Sequence, residues 1–292
     1  GRQFVVPQVR GDHLYHLLSL EEDAQAVVVV DTDYGRFTRE VWLPVGVAVL
    51  IQMGEDNGYA ARIDADAPIL VLHDTRSGED VYPVPPADTE LWGVKSQSAY
   101  VAASEDATTV QAWADDGSSE TLVLDAGEQA SLSIGSDGAQ GQGSAIHLLA
   151  DRPIAAVQHD DGDGEASSAF WPAWMHSRRH ALPIDAQYAA LVCPASTAVT
   201  LTDAAGNESS HDCLAAGASP GKLFFGSDES GPNLGAGSII TADEPVYVLY
   251  EGAASEDEHN LIGSLDANAP DNGQVLGGTL TQDVTLPAGG HH

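Results

Sequence analysis

Basic residues are scarce in this sequence. It contains 11 lysines and arginines against 44 aspartates and glutamates, which gives a formal net charge of −33. Binding to phosphates needs clustered Lys and Arg, so the composition argues against nucleic acid and an anionic membrane surface as partners. Two compatible explanations of the acidity stay open. Either the surface is adapted to high salt, where charge is screened over short distances, or the carboxylates bind divalent cations.

Long apolar stretches and extended helical periodicity are absent as well. No apolar run approaches the length that spans a membrane. The apolar segments are short, rich in Val, Leu and Ile, and separated by clusters of Gly, Asp and Ser, which is typical of strands joined by turns. With 292 residues and 43% hydrophobic content, the chain is long enough for two or three domains with a buried core.

Cysteine is also rare. The two cysteines, Cys193 and Cys213, are too few for any zinc-binding spacing. Both fall on predicted neighbouring strands, so we expect a disulfide between them and an oxidising compartment. The sequence begins at Gly1 without a methionine or a signal segment, and we therefore expect the mature form of a secreted protein.

A four-residue phrase, Ala-Asp-x-Pro, occurs three times, each time before an apolar strand that ends near a carboxylate. A glycine turn and a strand that closes on a second glycine precede each copy. The copies lie at 65–68, 150–153 and 242–245, and the second glycines are Gly46, Gly127 and Gly217. A period of about 80–90 residues is long enough for a small sandwich in each unit. The repeat therefore predicts tandem β modules, which usually bind or assemble.

We predict an all-β fold of three antiparallel β-sandwich modules with six strands each. The predicted modules cover residues 1–94, 95–183 and 184–265, and a tail follows at 266–292. The tail carries a period-two alternation typical of a half-buried strand, at Leu280, Gln282, Val284 and Leu286. This strand either folds back on its own chain or adds to a sheet of a neighbouring subunit.

The densest acidic loop follows the second apolar strand. Its carboxylates, on a loop softened by glycine, suit a hard cation that binds six to eight oxygens, and we predict calcium at Asp160, Asp161, Asp163 and Glu165. The equivalent positions of the other modules, Asp74 and Glu251, are candidate ligands for the same reason. An ordinary solvated acidic turn is the alternative.

Motifs of enzymes are missing. No Gly-x-Ser-x-Gly lies between a strand and a helix, and the glycines at 135–143 have neither phosphate-loop nor dinucleotide spacing. His159 lies beside Asp160, but its counterpart in the third repeat is Tyr250. No carboxylate pair stands out from the acidic background. We therefore predict no enzymatic activity.

Aromatic residues cluster between the second and third modules. Trp171 and Trp174 could form a platform on which surface glycans stack. The alternative, which we favour, is that such residues fill the junctions between modules.

The order of strand, glycine turn, strand closing near Ala-Gly, and Ala-Asp-x-Pro before an apolar strand resembles a known family. It is similar to the N-terminal domain family of IgG-Fc-binding-protein-like surface proteins, found in large secreted bacterial proteins and mucin relatives. Residues 100–160 are the nearest match, and residues 82–92 resemble that family's linker. The resemblance implies an extracellular, non-catalytic β-rich protein with adhesive or matrix roles. This chain is far more acidic, and is only about one family length long, which favours a free-standing subunit.

Together these features predict a secreted structural protein. It would bind copies of itself to form an extracellular filament or surface layer, through its terminal strand and through Ca²⁺ bridges between acidic faces. The alternative is an extracellular adhesin or a module that binds surface glycans.

Overall fold

The computed structural model describes residues 1–9, 13–54, 58–75, 81–138, 141–159, 167–227, 233–253 and 258–261. These residues contain 23 β-strands and one turn of 3₁₀ helix, Ala173–Met175, but no α-helix. Every ladder between two of these strands is antiparallel. The predicted all-β fold is confirmed.

The first module is a sandwich of two four-stranded sheets. Its strands are β1 (Gln3–Val6), β2 (His13–Ser19), β3 (Ala24–Thr32), β4 (Gly35–Leu43), β5 (Val49–Gly54), β6 (Ala61–Ala65), β7 (Ile69–Thr75) and β8 (Tyr82–Pro83). Sheet I has the strand order β4-β3-β6-β1, and sheet II has the order β5-β2-β7-β8.

The second module repeats this arrangement. Its strands are β9 (Asp88–Val94), β10 (Ser98–Ala103), β11 (Thr108–Ala114), β12 (Ser119–Leu124), β13 (Gln129–Ser131), β14 (Ala145–His159) and β15 (Ser167–Ala169). The long strand β14 serves both layers, because its first half pairs with β9 and β11 and its second half with β10 and β15. Sheet I is therefore β12-β11-β14-β9, and sheet II is β13-β10-β14-β15. A short strand, β16 (Trp171–Pro172), adds to β9 and leads to the third module.

The third module has the same plan. Its strands are β17 (Ser177–Ala181), β18 (Ala186–Cys193), β19 (Thr197–Thr202), β20 (Glu208–Cys213), β21 (Gly221–Gly226), β22 (Ile239–Gly252) and β23 (Glu258–Asn260). The long strand β22 again serves both layers, in sheet I (β20-β19-β22-β17) and in sheet II (β21-β18-β22-β23).

The Ala-Asp-x-Pro phrase marks the place where the chain passes from sheet I to sheet II. In module 1 it separates β6 from β7, and in the other modules it lies inside β14 and β22. Proline fixes its own φ and cannot donate to a ladder, which suits a corner between two sheets. The aspartate has a role of its own: Asp66 accepts a hydrogen bond from the Gln25 backbone at 2.7 Å, and Asp151 from the Thr109 backbone at 2.8 Å. The phrase thus ties the corner to the third strand of the module.

Modules 2 and 3 begin earlier than the sequence pattern indicated. Strand β9 pairs with β14, and β17 pairs with β22, so these strands open modules 2 and 3. The repeats therefore start near residues 88 and 177 instead of 95 and 184, and each has eight strand positions instead of six. The opening strands lie in proline-rich stretches, and the closing strands are only two or three residues long. Neither shows the alternation by which a strand is recognised in a sequence.

The inner faces of the two sheets form the core of each module. In module 2, for example, Leu148 of sheet I and Val101 of sheet II belong to one buried cluster, together with Phe170. Gly93 lies directly under the Phe170 ring, and a Cβ at this position would approach that ring to 2.3 Å. No described helix is long and apolar enough to cross a membrane.

The disulfide between Cys193 and Cys213 joins the two layers of module 3. Cys193 ends β18 in sheet II and Cys213 ends β20 in sheet I, both are buried, and their Cα atoms lie 6.3 Å apart. The predicted disulfide is present, but the predicted neighbouring strands are wrong, because β18 and β20 belong to different layers and do not pair with each other.

Removing this disulfide should destabilise module 3. The cysteines are 20 residues apart, and for a loop of this size we expect the double variant Cys193→Ala/Cys213→Ala to lose about 2–4 kcal/mol of unfolding free energy. Urea denaturation measures this value. Wild-type protein treated with reductant is the control and should show the same loss. An unchanged midpoint in both samples would contradict the prediction.

Candidate interaction surface

The described residues contain no deep pocket or metal cluster that would suggest a reaction centre. Two clefts, of about 450 and 130 Å³, lie beside β1 and are lined by polar and small residues, among them Gln3 and Asp64. Within the described ranges, no group of three His, Cys, Asp or Glu side chains could hold a metal ion. The features that repeat along the chain are instead the outer faces of the sheets.

Modules 2 and 3 pack through these outer faces. The outer face of sheet II in module 3 is covered at Tyr188, Ala190, Val192, Tyr247 and Leu249, and it also carries Glu251 and Lys222. The first five of these residues share one buried cluster with three residues from the outer face of sheet I in module 2: Trp92, Val94 and Ala145. Sheet II of the later module therefore covers sheet I of the earlier one.

His147 is the polar centre of this junction. Its ring stacks on Trp92, with centroids 3.6 Å apart, and on Trp113 at 5.1 Å. Its Nδ1 lies 2.9 Å from the Ala218 carbonyl of module 3, and its Nε2 lies 3.0 Å from the Glu90 carboxylate. Burial lowers the pKa of His147, while the carbonyl and the carboxylate both act to raise it. The ring thus ties a turn of module 3 to sheet I of module 2.

A lysine makes a second link across the same junction. The Lys222 ammonium of β21 donates a hydrogen bond to the Gly143 carbonyl of module 2. Burial lowers the pKa of Lys222 to about 8, and the nearby Asp115 carboxylate opposes this shift.

Modules 1 and 2 are joined in the same way. Ala102 and Ala155, from the outer face of sheet II in module 2, share a buried cluster with Val5 and Ala60 of module 1. The Ala60 N–H donates to the Gly127 carbonyl at 2.9 Å. Gln8 and Gln129 add a reciprocal pair, in which the Gln129 side chain accepts from the Gln8 N–H at 2.8 Å and donates to the Gln8 carbonyl at 2.7 Å. Small apolar residues bring the two sheets close together.

The register of the covered face is the same in every module. Counted from the proline of Ala-Asp-x-Pro, the residues two and four places later lie on the outer face of sheet II and pair with the module's second strand. These pairs are Leu70 with Leu18 and Leu72 with His16 in module 1, Ala155 with Ala102 and Val157 with Tyr100 in module 2, and Tyr247 with Val192 and Leu249 with Ala190 in module 3.

In module 1 no other module among the described residues covers this face. Leu70 and Leu72 are 43% and 40% exposed, whereas their counterparts in modules 2 and 3 are buried. Leu50 of the neighbouring strand pairs with His16 and is 54% exposed. We call the set Leu18, Leu50, Leu70 and Leu72 the leucine face.

The turn beside the leucine face is also uncovered. It carries Val45 and Val47, which are 46% and 49% exposed. In the later modules this turn contacts the module before it: a Cβ on Gly127 would contact Arg62 of module 1, and Ala218, which follows the equivalent Gly217, binds His147 of module 2. In module 1 the hydrogen bonds of this turn stay within the module, from the Gly46 N–H to the Ser19 carbonyl at 2.8 Å and from the Val45 N–H to the Asp23 carboxylate at 2.9 Å.

At the other end of the stack, the outer face of sheet I in module 3 is the uncovered one. It carries Arg179 and Ala181 on β17, Thr200 on β19, and Ile239 and Thr241 on β22. Arg179, Ala181 and Thr241 are exposed and the other two are half-buried. We call this set the terminal face. It is more polar than the matching face of module 2, where Trp92 and His147 occupy the positions of Ala181 and Ile239.

The described metal candidates occupy positions that do not form a cation site. Asp74 lies 3.7 Å from the His16 ring on the outer face of module 1. Glu251 is only 3% exposed and lies on the covered face of module 3. The predicted ligands Asp160, Asp161, Asp163 and Glu165 lie outside the described residues. So do Leu280, Gln282, Val284 and Leu286 of the predicted assembly strand.

The two tryptophans do not form an exposed platform. Trp171 is only 3% exposed and meets Tyr247 of module 3 edge to face at 6.4 Å. Trp174 is half-buried, and its indole N–H donates to the Asp88 carboxylate at 2.8 Å. Trp171 therefore belongs to the junction between modules, because a ring covered by another module cannot stack on a sugar.

The leucine face was missed at the sequence level, although one signal points to it. Residues 69–72 read Ile-Leu-Val-Leu, and residues 246–249 read Val-Tyr-Val-Leu. A half-buried strand alternates apolar and polar residues, whereas a strand covered on both faces is apolar throughout. These runs thus indicate that sheet II has a partner on its outer side in each module.

Comparisons with known proteins add little. No protein-family profile matches this chain, and no curated protein matches it. One solved structure that matches is titled "anti-sigma factor domain-containing protein". It is 11% identical, the match covers 90% of this chain and 82% of that chain, and the TM-score is 0.15. A similarity at this TM-score carries no argument about fold or function.

Proposed function

We propose that this protein is a secreted, non-catalytic structural protein whose copies assemble into an extracellular filament or surface layer. The observation that carries the proposal is the stack itself. Three sandwiches pack in series through one repeated contact, and the stack ends with an uncovered face on both sides. A head-to-tail contact of this kind generates open chains when its rotation does not close a ring. The disulfide of module 3 supports the oxidising, extracellular location.

Electron microscopy of the purified protein tests the proposal, first with calcium and then with a chelator. We expect ordered fibres or sheets in calcium. Their loss in chelator would support the predicted Ca²⁺ bridges through Asp160, Asp161, Asp163 and Glu165, whereas their persistence would leave the structural role intact and contradict those bridges. Dispersed monomers under both conditions would overturn the structural role.

A further inference from the structure

We propose that the leucine face of module 1 docks on the terminal face of module 3 in a second copy of this chain. This inference rests on the function proposed above and names the surfaces through which the copies join. Its basis is continuity, since the chain already makes the equivalent contact twice. In each case sheet II of the later module covers sheet I of the earlier one. A second copy is the occupant that continues this series in both directions.

The composition of the two faces fits this contact. Leucine side chains project from module 1, and the terminal face offers smaller side chains, Ala181 and Thr200, with Ile239. Large residues on sheet II meeting small residues on sheet I allow two sheets to pack closely. The junction between modules 1 and 2 shows that small side chains on the sheet I side, Ala60 and Val5, are compatible with close packing, although the sheet II side there is small as well, with Ala102 and Ala155.

The two faces carry one pair of opposite charges, although Glu208 and Asp212 of β20 lie on the terminal face as well, through their pairs with Thr202 and Ala198. The leucine face ends at Asp74, which follows Leu72 by two residues on the same strand. The terminal face carries Arg179, one of only 11 basic residues in the chain. An orientation that brings Asp74 to Arg179 and keeps it away from these carboxylates is favoured over the others.

The net charge of −33 sets the conditions for assembly. Two copies repel each other at low ionic strength, and added salt shortens the range of this repulsion to ~3 Å at about 1 M. The leucine contact is apolar and keeps its strength in salt. Association should therefore increase between low salt and about 1 M sodium chloride.

Sedimentation velocity on the full chain, at about 1 M sodium chloride, tests the contact. The double variant Leu70→Glu/Leu72→Glu should lower the association constant at least about 100-fold, because docking would bury unpaired carboxylates. Both leucines are exposed, so the fold of the single chain should be kept. The matched control is Leu149→Glu, a leucine of similar exposure (41%) on sheet I of module 2, outside both end faces.

A mixing experiment identifies the partner face. Ala181→Glu places a charge on the terminal face and should block the other end of the stack. Alone, each blocked variant should be monomeric. In a 1:1 mixture each variant still offers the face that the other lacks, so the mixture should form dimers and nothing longer.

The possible failures are distinguishable. If Ala181→Glu alone dimerises while the double leucine variant does not, the leucine faces bind each other and the assigned occupant is wrong. If both variants polymerise like wild type, assembly uses other surfaces; the inference fails while the proposed structural function stands. If wild type stays monomeric at all concentrations and salt levels, both fail.

Discussion

Replacing Trp92 by alanine should lower the free energy of unfolding by about 3–5 kcal/mol, the usual cost of removing a buried large aromatic side chain. Trp92 is only 5% exposed, and its ring lies flat on that of His147 with an interplanar angle of 1°. The same ring belongs to the apolar cluster shared with module 3. The variant therefore loses contacts within module 2 and contacts to its neighbour.

Trp42→Ala is the matched control for this prediction. Trp42 lies on β4 in sheet I of module 1, but it is 60% exposed and so contributes little buried area. Its replacement should change the unfolding free energy by no more than about 0.5 kcal/mol, as for most surface positions. Urea denaturation followed by circular dichroism measures both variants. Equal losses in the two would show that the junction between modules 2 and 3 does not stabilise the protein.

Much of the architecture could be predicted because the corner between the sheets has a sequence signature. In modules 1 and 2 the proline leaves the ladder and the aspartate binds the third strand, and in module 3 the Glu244 N–H donates to Thr197 of the third strand. The cysteines could also be paired, because they end strands of one module. What the phrase does not reveal is where a module begins, since β9 and β17 lie away from it in proline-rich segments.

The candidate surface could not be located from the sequence alone, because exposure depends on which module covers which. Leu72, Val157 and Leu249 hold equivalent positions and have similar apolar character. Only the stacking order leaves the first exposed and buries the other two. The same limit applies to Trp171, whose burial depends on contact with Tyr247 of another module. A sequence repeat thus predicts the structure of one module, whereas the faces left exposed at the two ends of the stack follow only from how the modules pack.

Acidification from about pH 7.5 to about pH 5.5 should destabilise the fold by at least about 3 kcal/mol, because burial lowers the pKa of several histidines, most strongly those of His73 and His176. The pKa of His176 is lowered to about 3, chiefly by burial, with a smaller contribution from His180 and an opposing one from the Trp171 carbonyl. Burial also lowers the pKa of His73 well below its usual range, and the adjacent His13 adds to the effect. Both rings are therefore neutral in the folded protein under these conditions.

The direction of this effect follows from the difference in proton binding. Below about pH 6.5 the unfolded chain protonates these histidines and the folded chain does not, so the free energy of unfolding falls as the pH drops. Each histidine contributes about 1.4 kcal/mol for each pH unit between the usual pKa and the lowered one. Carboxylates titrate near pH 4, so they keep their charge over this interval.

The variant His176→Gln isolates one of these contributions. Between about pH 7.5 and pH 5.5, this variant should lose about 1.4 kcal/mol less unfolding free energy than wild type. The loss is measured within each protein, so a difference in stability between variant and wild type at about pH 7.5 does not affect the comparison. His211→Gln is the control, because His211 lies exposed on β20 and its ring stays in contact with solvent in the folded state. Urea denaturation at each pH gives the unfolding free energy, and its change with pH is compared between the variants and wild type. If His176→Gln and wild type lose the same unfolding free energy, the His176 ring accepts a proton in the folded state. The acid sensitivity would then come from the other histidines whose pKa burial lowers, His73, His180 and His147.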